Sequence, residues 1–198
     1  VFTMRPATAH DTPAVASMIT ARCAWMEQRG LESWREEVDD LAGQAARGFM
    51  WVLAAGDRIV GCTTVLTQAL PRQWTREEAG EPSLYLFTTA TDPAFRHHRP
   101  GTLMALWAVD RAARQGRRWV RQGCFFPELA EYYESQGFSL VKEQEGGAGR
   151  RLYLLARRAE RLDLAHLGLG PTAAPPLQRS RPPEPRRAPT APGPSKPV

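Results

Sequence analysis

Arg96-His97-His98-Arg99-Pro100-Gly101-Thr102 gathers four basic or ionisable side chains in one turn, directly before a stretch, Leu103 to Gln115, whose apolar spacing predicts a helix. The chemistry open to such a turn is anion binding. The first N–H groups of a helix have no partner within it and lie at the positive end of its dipole, which suits a phosphate. Arginine adds a planar fork that grips phosphate oxygens through two N–H bonds at once. Adjacent histidines with no nearby Cys or His partners make a poor coordination set, so His97 and His98 read as phosphate-loop donors and no metal is expected. Cys124 has no paired His or helix start near it and reads as a buried thiol.

These residues have to be positioned by the elements around them. Thr3 to Ala7 reads as a short strand, and Asp11 to Arg29 as a helix carrying Val15, Met18, Ile19, Arg22 and Met26 on one face. Ser33 to Arg47 predicts a second helix with Trp34, Val38, Leu41 and Ala45 in a stripe. Phe49 to Ala54 and Arg58 to Leu66 form a hairpin around Ala55-Gly56-Asp57. A polar loop, Pro71 to Pro82, leads into Ser83 to Ala90, an aromatic and β-branched run that predicts a central strand. The basic turn and its helix follow, ended by Gly116; Trp119 to Cys124 is then a strand parallel to the central one. Pro127 to Gln136 predicts a short helix, and Phe138 to Lys142 with Arg151 to Ala156 a closing strand pair.

Composition bounds the rest. The chain has 198 residues, 42% hydrophobic and 24% charged, which is room for one globular core. No run of about 18 apolar residues occurs, and the residues from Val1 to Asp11 lack a basic segment followed by an apolar one, so a cytoplasmic protein without a membrane partner is expected. Cys23, Cys62 and Cys124 lack paired spacing and read as buried thiols. The segment after Leu169 holds ten of the 17 prolines, and Gly168 to Val198 carries +4 of the net +5. The expected organisation is therefore a domain over 1–160, a linker over 161–169 and a disordered Pro/Arg-rich tail over 170–198. The near-neutral remainder, without a nucleic-acid-binding signature, argues against a nucleic-acid partner.

Three features together resemble the GNAT superfamily of acyl-CoA-dependent N-acetyltransferases. Arg96 to Gly101 fits the first and last positions of that family's Arg/Gln-x-x-Gly-x-Gly/Ala loop, with Arg99 where the middle glycine is usual. Tyr133-Glu134-Ser135-Gln136-Gly137-Phe138 is similar to its Tyr-Glu-x-x-Gly-Phe helix ending, and Tyr85-Leu86 to the opening of its fourth strand. The order of elements over roughly 4–157 is similar as well. A residue seven before that tyrosine, often asparagine, is Phe126 here. The resemblance implies an α/β (α+β) fold: a mixed, mostly antiparallel sheet of six to seven strands, a central parallel pair and about four flanking helices. It implies that acetyl-CoA and an amine meet between the fourth and fifth strands, with Thr89, Ala90 and Thr91 offering N–H groups to the thioester carbonyl. Arg96, His97, His98, Arg99, Pro100, Gly101 and Thr102 would then hold the pyrophosphate. Tyr133 would be the acid for the leaving thiolate, and Glu81 the candidate base. Trp25, Trp34 and Trp74 fall in segments that border the acceptor side in similar proteins; packing is the competing reading for each. The implied partner is a small-molecule or protein amine, and a homodimer stays open. A non-catalytic acyl-CoA-binding module is the alternative, motivated by Arg99 and Phe126.

Overall fold

The computed structural model describes residues 1–70 and 72–172. The expected tail lies outside the described residues from 173 onward. The elements run β1 (Phe2–Pro6), α1 (Thr12–Glu27), α2 (Val38–Ala42), β2 (Met50–Ala55), β3 (Arg58–Leu66), α3 (Arg76–Gly80), β4 (Ser83–Thr91), α4 (Pro100–Arg114), β5 (Trp119–Cys124), α5 (Pro127–Glu134), β6 (Ser139–Glu145) and β7 (Arg151–Arg158). The strands make one 7-stranded sheet in the order β1-β2-β3-β4-β5-β7-β6. Every neighbouring pair is antiparallel except β4 and β5, which are parallel and joined through α4.

Each face of the sheet buries a different set of side chains. On one, α4 and α5 cover Trp51, Leu53, Val60, Leu84, Leu86 and Val120, with Met104, Trp107 and Ala108 descending from α4. On the other, α1 lays Val15, Met18, Ile19 and Cys23 on Met50, Val52 and Ile59. The period-2 alternation of β2 does this sorting: Trp51 and Leu53 go to one face, Met50 and Val52 to the other. Gly56 turns the β2–β3 hairpin with φ +59°, a conformation that L side chains seldom adopt.

Three elements differ from the sequence expectation. The single helix expected over 33–47 is broken into a 3-10 turn (Arg35–Glu37), α2 and a second 3-10 turn (Gly43–Arg47). Gly43 and the crowded carboxylates Glu36, Glu37, Asp39 and Asp40 disfavour a continuous helix there, although Ala42 and Ala45 still pack inward. The polar loop holds α3, nucleated by a reciprocal cap in which Glu78 N–H donates to Thr75 Oγ1 (3.1 Å) and Thr75 N–H to Glu78 Oε2 (2.8 Å).

The third is the segment over 161–169, expected as a linker, which packs on the domain. Leu169 is 3% exposed within the α4 core, and Leu162 and Leu164 pack against it. Leu162 N–H donates to Asp110 Oδ1 (3.0 Å), and Phe2 exchanges backbone bonds with Gly168 (3.0 Å) and Gly170 (2.7 Å). Leucines spaced along an otherwise polar segment gain more by covering α4 than by remaining solvated.

Candidate active site

β4 and β5 pair over four residues only, from Ser83↔Trp119 to Leu86↔Gln122. Beyond Leu86, β4 follows β3 while β5 continues along β7 to Cys124↔Tyr153. The cause lies in β4: Thr64 faces Phe87 and Cys62 faces Ala90, so Thr63 alone opposes both Thr88 and Thr89. This extra residue is a β-bulge, which bends the strand that carries it. Thr88 takes φ +47°, a real outlier for a β-branched residue and a cost of order 1–3 kcal/mol that the surrounding sheet must hold in place. The strands part, leaving a cleft of about 380 Å³ walled by Phe87 to Ala90, by Gln122 to Phe126 and by Leu129 and Tyr133 of α5.

Asp92 N–H donates to Val60 O (2.9 Å), so the alternation of an antiparallel ladder sends Ala90 N–H to β3 as well. It turns the N–H groups of Thr89 and Thr91 to the edge that β5 has left. A donor on a parted strand edge has no sheet acceptor and is fixed in direction before anything binds.

At the far end of β4, a 3-10 turn (Pro93–His98) leads to Arg99, whose φ of +51° and ψ of +53° are left-handed, and α4 begins at Pro100. The backbone therefore takes the form that a glycine would favour, with an arginine in its place. Leu103 N–H makes the first bond of α4, to Arg99 O (3.2 Å), and Pro100 has no N–H, so the amides of Gly101 and Thr102 are left at the helix start. Arg96, His97, His98 and Arg99 are all exposed, while Pro100 is buried. His98 lies against Phe2 and Phe95, with ring centroids 5.5 and 6.0 Å apart. Among the described residues the Arg96 and Arg99 guanidiniums have no carboxylate partner. Tyr132, unremarked in the sequence, bonds Thr102 across the turn (Oη to Oγ1, 2.6 Å), and a Cβ at Gly101 would stand 3.4 Å from the same hydroxyl.

Tyr133 lies between these two features, 6% exposed, packed edge-on against Tyr132 and Phe138. Burial pushes its hydroxyl well above the ordinary tyrosine range, and the nearby Cys124 and Tyr132 add to the shift; the Thr89 side chain opposes it. Thr89 Oγ1 is in turn 2.9 Å from Thr63 Oγ1 across the bulge. The group is a hydroxyl that keeps its proton throughout the physiological range and stands in the cleft wall beside a polar chain. Cys124 lines the same wall, and burial raises its thiol to about 11, so it carries no thiolate for nucleophilic work.

No family model matches the chain, and no curated protein matches it in sequence. Solved structures do. A GNAT-family acetyltransferase from Listeria monocytogenes 4b F2365 superposes with TM-score 0.61 at 16% identity, over 79% of this chain and 94% of that one. The Drosophila melanogaster polyamine N-acetyltransferase, which forms N-acetylagmatine, gives 0.57 at 12%, over 80% and 100%. The Neisseria gonorrhoeae N-acetylglutamate synthase, solved with coenzyme A and N-acetyl-glutamate, gives 0.56 at 19%, over 81% of this chain and 36% of that one. This chain has the GNAT acetyltransferase fold. Within the GNAT fold, β4 and β5 are the parallel pair, and the basic turn leads from β4 into α4.

The other expected site residues are scattered by the GNAT fold rather than gathered. Glu81 does not line the cleft: its carboxylate pairs with Arg121 and with Arg118 (3.1 Å). Arg121 is 3% exposed and also bonds Glu78 O and Tyr85 Oη (3.1 Å), so Glu81 is held as the counter-charge of a buried cation, away from the cleft. Trp74 stacks on Arg121 (4.8 Å) and meets Tyr85 edge-on (6.1 Å) in the core, outside the cleft. Trp25 is clasped between Arg22 and Arg29, at 4.5 and 3.9 Å. Trp34 alone of the three borders the cleft, with Ile19 and Leu41.

Phe126, too, faces the cleft and makes that wall apolar. Among the described lining residues there is no Asp, Glu or His; the one charged side chain is Arg150, which no motif or spacing along the chain singles out. No helix of the described residues is long and apolar enough to cross a membrane, and none of their His, Cys, Asp and Glu side chains gather in threes as a metal would need.

Proposed function

We propose that this chain is an N-acyltransferase that moves an acetyl group from acetyl-CoA to a primary amine of a small molecule or protein by direct attack. One observation carries the reading: a strained bulge in β4 opens a cleft lined by the buried Tyr133, and the same strand leads through a turn of uncompensated cations to the free amides at the start of α4. The cations, with the Gly101 and Thr102 amides, suit the phosphates of the donor. The Thr89 and Thr91 amides would donate to the thioester carbonyl oxygen as it gains charge, and preorganised donors of this kind are worth a few kcal/mol in a transition state. The amine nitrogen bonds to the carbonyl carbon as the C–S bond breaks. Tyr133 gives its proton to the departing sulfur, and the proton lost by the nitrogen returns to the phenolate through water, which leaves the protein unchanged.

The ionisable side chains that line the described cleft are Tyr133, Cys124 and Arg150, and the reading passes the proton of the incoming ammonium to water. A non-catalytic acyl-CoA-binding module is separated from a transferase by one experiment. Release of free thiol from acetyl-CoA is followed with a panel of amines, alongside calorimetric titration with CoA. Amine-dependent thiol release supports the transferase; tight CoA binding with no amine-dependent release refutes it.

A further inference from the structure

One half of the cleft lies on the α1 face of the sheet, where Ile19, Trp34, Leu41, Phe87 and Leu152 give it an apolar, partly aromatic lining. Arg150 enters this half from the turn between β6 and β7. Its guanidinium lies over the Phe125 ring at 4.5 Å, and Gly146 makes that stacking fit: a Cβ there would come within 2.8 Å of Phe125. Gly146 N–H closes the turn on Arg150 O at 2.6 Å. The Arg150 head is thus fixed by an aromatic face and a tight turn, while its charge is only loosely met, by Glu32 at 3.4 Å on the rim, 69% exposed. A second donor waits in the same cleft: Gln122, 5% exposed, has its Nε2 without an acceptor among the described residues. A buried donor left unpaired costs stability unless a ligand supplies the acceptor.

From this juxtaposition we infer that the acceptor is a small primary amine bearing a carboxylate on an apolar or aromatic body, the class of the apolar amino acids, with Arg150 as the residue that selects the carboxylate. The inference rests on the transferase reading. An arginine fork matches a carboxylate in shape and charge, and the apolar walls match the body. The same cation, offset only by the exposed Glu32 on the rim, disfavours a diamine, whose second ammonium would meet like charge.

The test measures thiol release with phenylalanine and leucine, their amides, the corresponding decarboxylated amines and a diamine, for the unaltered chain, Arg150→Gln and Arg150→Lys. The expected kcat/KM for the acids exceeds that for the amides by about tenfold or more. Arg150→Gln should remove that preference through KM, by about tenfold to a hundredfold, with the amides unaffected. Arg150→Lys should restore part of it, and CoA affinity and the melting curve should not move in either variant. Acids and amides used alike, a preference for the diamine, or an Arg150→Gln loss equal for acids and amides overturns the inference and leaves the transferase reading standing. CoA binding without turnover of any amine sinks both.

Discussion

Replacing Arg99 by glycine should move stability and donor affinity in opposite directions, because the residue does two separate things. Its backbone is left-handed at φ +51°, which costs a residue with a Cβ about 1–2 kcal/mol. Glycine removes that cost but adds conformational freedom to the unfolded chain, about 0.5–1 kcal/mol. The Arg99 side chain is exposed and has no carboxylate partner among the described residues, so no packing or ion pair is lost. The net gain is about 0.5–1 kcal/mol, or roughly 1–4 °C in Tm for a chain of this size. The other role is the guanidinium: one charge-assisted bond to a phosphate is worth about 1.5 kcal/mol, so the Kd for CoA should rise about tenfold. A scanning thermal melt without ligand and a calorimetric titration at fixed ionic strength read the two effects independently. A fall in Tm would show that the left-handed turn is not strained by its side chain. An unchanged Kd would remove Arg99 from the phosphate site, and abolished binding would make it the principal ligand.

Tyr133→Phe deletes only the buried hydroxyl, so kcat should drop about 10²–10⁴-fold with KM for the donor nearly constant; steady-state kinetics in which kcat survives, in a folded variant, would reduce Tyr133 to a packing residue. Glu81→Gln leaves the buried Arg121 guanidinium without its counter-charge and should cost about 3 kcal/mol in urea unfolding with kcat little changed. A large kcat loss at full stability would instead restore Glu81 as the base. Asp11 is held down to about 2 first by its bidentate bonds to Arg5 (2.7 and 2.8 Å), with Thr8 N–H and Oγ1 adding to the effect. A carboxylate lowered in the folded state stabilises above its unfolded pKa and loses that contribution as the pH falls through the folded one. Asp11→Asn should therefore cost about 1 kcal/mol at pH 7, discounted for the half-exposed arginine, with the difference fading between about pH 4 and pH 2; equal unfolding midpoints at pH 7 would refute it.

Most strand boundaries were legible because their signals are local. β3 runs Arg58–Leu66 and β5 runs Trp119–Cys124, as the apolar runs and their flanking turns predict. Helix α4 was legible in its body, yet it starts three residues earlier than its periodicity suggests: Pro100 can occupy a first helical turn, and the left-handed Arg99 sets the entry. The broken second helix shows the opposite case, where a correct apolar stripe was cut by Gly43 and clustered carboxylates.

The sequence by itself determined which residues form the sheet, where the basic turn stands relative to β4, and that Tyr133 occupies a short helix after β5; each follows from periodicity, turn residues or motif spacing along the chain. Only the tertiary structure decided what reaches the cleft. Glu81 and Trp74 precede or flank the right elements, yet a long-range partner, Arg121, 40 residues from Glu81, draws both elsewhere, while Trp25 is held by its helical neighbours Arg22 and Arg29. Arg150, Gln122 and Tyr132 enter the site because β5, α5 and the β6–β7 turn meet β4 from distant parts of the chain. The bulge at Thr88 is the clearest instance. Nothing in Phe87-Thr88-Thr89-Ala90 announces an extra residue, since a bulge is a mismatch between two strands, set by the register that β3 imposes on β4.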